Sequence, residues 1–199
     1  TTKAILIYTE QTPNPEAIKY VTNSMLYEGT ADFKTKELAD EWSPLAAHLF
    51  ELPYVKYVYI SQNFVSVTKE FNYNWDDIML ALKEKIKTYL MEDNAIINEG
   101  YDEFINQKEE EGDATFQYTG KDKEIVDKIK QLIEKYVKPA VEMDGGNMEF
   151  NSYEDGRVTV IMQGSCSGCP SSTVTLKSGI EGMLKRMIPE ITEVVAVAG

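Results

Sequence analysis

The sequence predicts an α+β protein of two small domains, each built as helix, hairpin and helix around a small sheet, with an acidic linker between them. Three observations predict it. Apolar residues recur at helical spacing in two separate stretches, around Ile78 and around Ile129; strand-like alternation flanks short polar turns in both halves; and between the halves the pattern dissolves into charge. A length of 199 residues admits one domain or two, so patterning decides the count. It divides the chain into a first domain over residues 1–92, a linker over 93–121 and a second domain over 122–199.

In the first domain, residues 3–9 read as a strand, and Thr12-Pro13-Asn14-Pro15 follows as a rigid turn because its prolines fix φ and remove two backbone donors. After a polar region, Ser43-Pro44 has the form of an N-cap followed by proline at the first helical position. Leu45, Ala46, Leu49 and Phe50 then make a short helix. Residues 54–60 and 64–68 alternate β-branched or aromatic side chains around Ser61-Gln62-Asn63, which predicts a hairpin. Asn74, with Asp77 three positions on, opens a second helix in capping-box form, with Ile78, Leu82, Ile86 and Leu90 on one face.

Residues 91–123 carry Glu92, Asp93, Asp102, Glu103 and the run Glu109-Glu110-Glu111, a solvated, self-repelling spacer, with Ile96, Ile97, Phe104 and Ile105 as material for a local docking helix. Periodicity returns with Asp122 as candidate N-cap and Ile125, Ile129, Leu132, Ile133, Tyr136 and Val137 on one face, until Pro139 disturbs the hydrogen-bond ladder. Asp144-Gly145-Gly146-Asn147 then leads into strands over 148–153 and 157–162, joined by the hairpin signal Asp155-Gly156. A glycine-bearing loop over 164–170, a helix over 172–187 with Ile180, Met183, Leu184 and Met187 as its core face, and a strand over 193–197 complete the domain.

Charge narrows the function. Twenty basic against thirty-three acidic side chains give a net charge of −13, a field that repels phosphate backbones and anionic lipid, so nucleic acid is excluded as a partner. No apolar run approaches the ~20 residues of a spanning helix, which excludes a membrane protein of that kind. The first residues show no leader pattern, so the expected compartment is the bacterial cytoplasm, with the mitochondrial matrix after leader removal as the alternative.

The chain holds two cysteines, Cys166 and Cys169. A disulfide between them would close too small a loop to remove much unfolded-state entropy, so they point to a reducing compartment and to metal or redox chemistry. They lie between the end of a strand and the start of a helix, where unpaired backbone N–H groups favour thiolate and donate to sulfur. Gly164 and Gly168 permit positive φ and clear side-chain bulk where an inorganic group approaches the backbone. Two thiolates are half of what a cysteine-ligated cluster or a tetrahedral zinc site requires. His48, the sole histidine, sits in the first domain and reads as a surface or packing residue. A second copy about a two-fold axis would supply an identical pair. Two alternatives stay open: a thiol-disulfide oxidoreductase, which expects its C-x-x-C early in the fold rather than 30 residues from the end, and a zinc-bridged interaction module. Asp144-Gly145-Gly146 reads as a turn supporting the site rather than ligating, and Lys177 as a surface lysine.

Together, Val137-Lys138-Pro139-Ala140-Val141-Glu142-Met143-Asp144-Gly145-Gly146 and Gly164-Ser165-Cys166-Ser167-Gly168-Cys169-Pro170-Ser171-Ser172 resemble the C-terminal domain of the NifU-like (Nfu) iron-sulfur scaffold and carrier proteins. Thr12-Pro13-Asn14-Pro15-Glu16-Ala17, Ser43-Pro44-Leu45-Ala46, the stretch 64–69 and Trp75 resemble that family's N-terminal domain. The resemblance implies a non-enzymatic carrier whose Cys166 and Cys169 bind half of a 4Fe-4S cluster bridging a homodimer. By the same resemblance the cluster is received from an upstream assembly scaffold and handed to apo iron-sulfur client proteins.

Overall fold

The computed structural model describes residues 4–115, 117–166 and 170–198, and the chain divides into two compact units, Thr1–Tyr101 and Asp102–Gly199. The first contains β1 (Ile7–Gln11), β2 (Ala17–Thr22), β3 (Tyr27–Phe33), α1 (Lys36–Trp42), α2 (Pro44–Phe50), β4 (Val55–Gln62), β5 (Phe64–Lys69) and α3 (Trp75–Met91). Its strands form an antiparallel sheet in the order β1-β2-β5-β4-β3.

The proline turn joins β1 to β2. Thr12 Oγ1 donates to the carbonyls of Asn14 (2.8 Å) and Ala17 (3.0 Å), a side-chain donor in a turn whose prolines have none, and Asn14 Oδ1 accepts from Glu16 N (2.9 Å) in an Asx turn. Ser61 pairs with Phe64, so the β4–β5 hairpin closes over Gln62 and Asn63 alone, with Gln62 at φ +51°. Ser43 caps α2 as its side chain accepts from Ala46 N at 3.1 Å. Asn74 caps α3, but through Asp76 N rather than Asp77. On α3 the buried face is Ile78, Leu82, Ile86 and Tyr89; Leu90 is half-buried. Each fully buried aliphatic of this kind contributes about 1.5–3 kcal/mol.

Three elements of this unit escape the periodicity reading. Strand β2 is buried on both faces, so no alternation marks it. Strand β3 holds Glu28, Gly29 and Asp32, poor strand formers held at a sheet edge with a register shift between Tyr27 and Thr30. Helix α1 has one buried residue, Ala39, and therefore almost no apolar face.

The acidic stretch is structured where a spacer is expected. Its opening residues bind the first unit: Tyr89 Oη donates to Ala95 O (2.6 Å), Ser43 Oγ to Ile96 O (2.7 Å), Asn98 N to Trp42 O (2.8 Å) and Asn98 Nδ2 to Glu41 O (2.9 Å). Tyr101, 2% exposed, ends this strap among the rings of Tyr27, Phe33 and Trp42, with centroids 5.8–5.9 Å away. Helix α4 (Tyr101–Thr115) follows and carries the glutamate run.

The second unit comprises α5 (Gly120–Leu132), a π turn (Ile133–Val137), α6 (Lys138–Met143), β6 (Gly146–Glu154), β7 (Arg157–Gly164), α7 (Pro170–Met187) and β8 (Glu193–Ala198). Asp122 lies in the first turn of α5, not at its cap, where Thr119 stands. Pro139 enters α6 immediately after the π turn, which takes up the interruption in the ladder. The wider turn shifts the helical phase, so Val137 is buried while Tyr136, expected in the core, is 51% exposed. Asp155 and Gly156 (φ +47° and +84°) close the β6–β7 hairpin, and β8 returns parallel to β7 after the α7 crossover. Ile129, Ile133 and Val141 meet Met148, Val160, Met162, Ile180 and Leu184 in one core. Met183 is half-buried and Met187 is 46% exposed, so the core face of α7 is narrower than expected.

Candidate functional site

Two glycine turns meet at the end of the second sheet. Strand β7 ends at Gly164, whose φ of +67° lies where a Cβ is strained, and the chain then turns through Ser165 and Cys166 toward α7, which starts at Pro170. Opposite it, α6 ends at Asp144 and Gly145 (φ +82°), with Gly145 N donating back to Glu142 O at 3.0 Å, and β6 begins at Gly146, paired with Gly164.

Ser165 joins the turns. Its Oγ donates to Asp144 O at 2.5 Å and its N to Gly145 O at 3.3 Å, and the residue is 1% exposed. Cys166 is 5% exposed and belongs to the core cluster of this unit. Its Sγ lies 4.0 Å from Ser165 Oγ. A Cβ on Gly146 would stand 2.8 Å from that sulfur, 2.7 Å from Gln163 O and 3.2 Å from Cys166 N, so only glycine leaves the sulfur its place. Behind this contact Asn147 Nδ2 donates to Gln163 Oε1 at 2.9 Å, tying β6 to β7 across the register.

Cys169 lies outside the described residues, as does Gly168. Among the described residues no group of three or more His, Cys, Asp or Glu side chains is arranged to hold a metal ion. His48 belongs to the first unit, its ring 5.2 Å from that of Tyr89 and its Nδ1 3.6 Å from a Glu51 carboxylate oxygen. Lys177 is half-buried on α7. Glu181, one turn on, accepts from Lys185 Nζ at 2.9 Å and from Val194 N at 3.1 Å, and these donors hold its carboxyl below the usual range. Ser165 and Gly146 have local roles that spacing does not reveal, because their partners lie 20 or so residues away in sequence; the one signal is the paired occurrence of small residues in both loops.

Residues 7–93 match the family model described as the scaffold protein Nfu/NifU N-terminal domain, and residues 129–195 match that of the NifU-like domain. The human mitochondrial NFU1 iron-sulfur cluster scaffold homolog is 36% identical over 189 residues, which is 94% of this chain and 70% of that protein. The chain belongs to the Nfu/NifU scaffold family. Other Nfu relatives are the mitochondrial NFU1 homolog of Drosophila persimilis, 35% identical over 96% of this chain, and the mitochondrial NifU-like protein 4 of Arabidopsis thaliana, 36% identical over 95%. The chain spans 65% of the length of each of these two. Both Nfu matches fall within the two units seen in the structure, and the second contains the Cys166 loop. No helix among the described residues is long and apolar enough to cross a membrane.

Proposed function

We propose that the chain is an iron-sulfur cluster scaffold and carrier that holds a 4Fe-4S cluster through Cys166 and Cys169 together with the same pair from a second copy. The observation that carries this reading is the seating of Cys166 at the junction of two glycine turns, in a domain of a scaffold family. Thiolates are the ligands such clusters take, and four complete the set that one chain's pair leaves half filled. The cluster is cargo: it arrives from an upstream assembly scaffold and leaves when client thiolates replace those of the carrier. No turnover of a substrate is required, so the protein acts as a carrier and not as an enzyme. The mitochondrial names of the relatives favour the matrix as the compartment.

Anaerobic reconstitution with iron and sulfide tests the proposal. The expected product is a coloured dimer with iron and acid-labile sulfide in proportion to dimers, and Cys166→Ser or Cys169→Ser abolishes both. A colourless metal-bound protein without sulfide, a monomer with a full cluster, or disulfide-reductase turnover by metal-free protein would reject it.

A further inference from the structure

The first residue of β6 bears directly on the Cys166 sulfur. Gly146 is buried, and a Cβ there would stand 2.8 Å from Cys166 Sγ, closer than the two atoms can approach unless one of them moves. Its other near neighbours would be Gln163 O at 2.7 Å and Cys166 N at 3.2 Å. Both are backbone atoms of a loop that Ser165 fastens to Asp144 O at 2.5 Å and to Gly145 O at 3.3 Å. Of the three atoms, only the sulfur ends a side chain that can turn about χ1, so a side chain at position 146 would drive the sulfur out of its rotamer.

We propose that Gly146 is a positioning residue for the cluster: by carrying no side chain it sets where Cys166 presents its sulfur, and so how firmly the carrier keeps its cargo. The inference rests on the cluster-carrier reading and deepens it by adding a residue that is not itself a ligand. A sulfur already in its bonding position gives up little freedom when iron arrives, whereas one displaced to another rotamer must be turned back as it binds. Groups standing behind a ligand in this way change metal affinity by about 10–100-fold.

The test has two arms. In the metal-free chain, Gly146→Ala, Cys166→Ala and the double variant form a cycle read by urea unfolding. The approach to Gln163 O is common to both backgrounds and cancels, which leaves the sulfur. Gly146→Ala is expected to lower the folding equilibrium constant about fivefold less when Cys166 is already alanine. Equal losses in the two backgrounds overturn the contact. If Gly146→Ala does not fold, recovery of folding in the double variant supports the contact and continued failure overturns it. In the reconstituted protein, withdrawal of iron by a chelator is followed by the loss of visible absorbance. Gly146→Ala is expected to lose its cluster about tenfold faster than wild type and to alter the cluster's visible circular dichroism. Gly156→Ala is the control, since a Cβ there, at φ +84°, stands 2.8 Å from Glu190 O and strains the turn of the same hairpin. Its cluster should be lost at the wild-type rate. A wild-type rate in Gly146→Ala, or equal acceleration in Gly156→Ala, overturns the positioning role. A wild-type chain that takes up no cluster instead rejects the carrier reading and leaves the metal-free cycle measurable, so the two ideas fail separately.

Discussion

The hydroxyl of Ser165 and the carbonyl of Asp144 meet at 2.5 Å inside the protein, joining the loop that leads into Cys166 to the turn that ends α6. Sequence places these residues 21 apart, on segments separated by a whole hairpin. Ser165→Ala leaves a buried carbonyl without its side-chain donor, which costs about 1–3 kcal/mol. Chemical denaturation of the second unit, read by far-ultraviolet circular dichroism, should show that loss. A midpoint equal to wild type would mean the bond contributes nothing net.

Glycines of the second unit should respond in opposite directions. Gly164→Ala places a Cβ at φ +67° and is expected to destabilise by about 1–2 kcal/mol. Gly182→Ala sits in helix α7 with nothing within 4 Å of the added carbon, and is expected to stabilise by about 0.5–1 kcal/mol. Paired urea titrations check both signs, and a stabilising Gly164→Ala would contradict the turn geometry.

Tyr101 anchors the strap of the first unit. Tyr101→Ala empties a site shared by Tyr27, Phe33 and Trp42 and should cost about 3 kcal/mol or more. Both tryptophans, Trp42 and Trp75, lie in this unit, so their fluorescence reports its unfolding selectively. Exposed Phe71→Ala, in the same unit, is the control and should stay within about 0.5 kcal/mol.

Glu181 confers a pH dependence of known sign. Lys185 and the Val194 amide hold its folded-state pKa below that of the unfolded chain, so its contribution is present above the unfolded value and is lost as pH falls through the folded one. The stability difference between wild type and Glu181→Gln should therefore be present at neutral pH and fade below about pH 4.3. A difference that stays constant into acid would assign the effect to something other than the carboxylate's charge.

Much of this architecture is legible in the sequence because its signals are local. Asp155-Gly156 announces a hairpin since both positions need positive φ, Ser43-Pro44 announces a helix start since it satisfies or removes orphan donors, and Ile125, Ile129 and Leu132 share a face by spacing alone. Strands β2 and β3 and the strap ending at Tyr101 are not legible in this way. Burial on both faces erases alternation in β2, edge pairing overrides the poor propensity of β3, and the strap is held by contacts to α1, α2 and α3 rather than by a pattern of its own.

By itself, the order of residues determined two domains, the helix faces and hairpins within them, and two closely spaced thiols in a glycine-bearing loop between a strand and a helix. Only the tertiary structure decided that Asp144, Gly145 and Gly146 press against Ser165 and Cys166, that Tyr136 turns outward past the π turn, and that the acidic stretch begins as a strap on the first unit. The physical reason is range. Caps, turns and helical periodicity act between residues a few positions apart, whereas the room left for a sulfur is set by backbone that arrives from the far end of a hairpin.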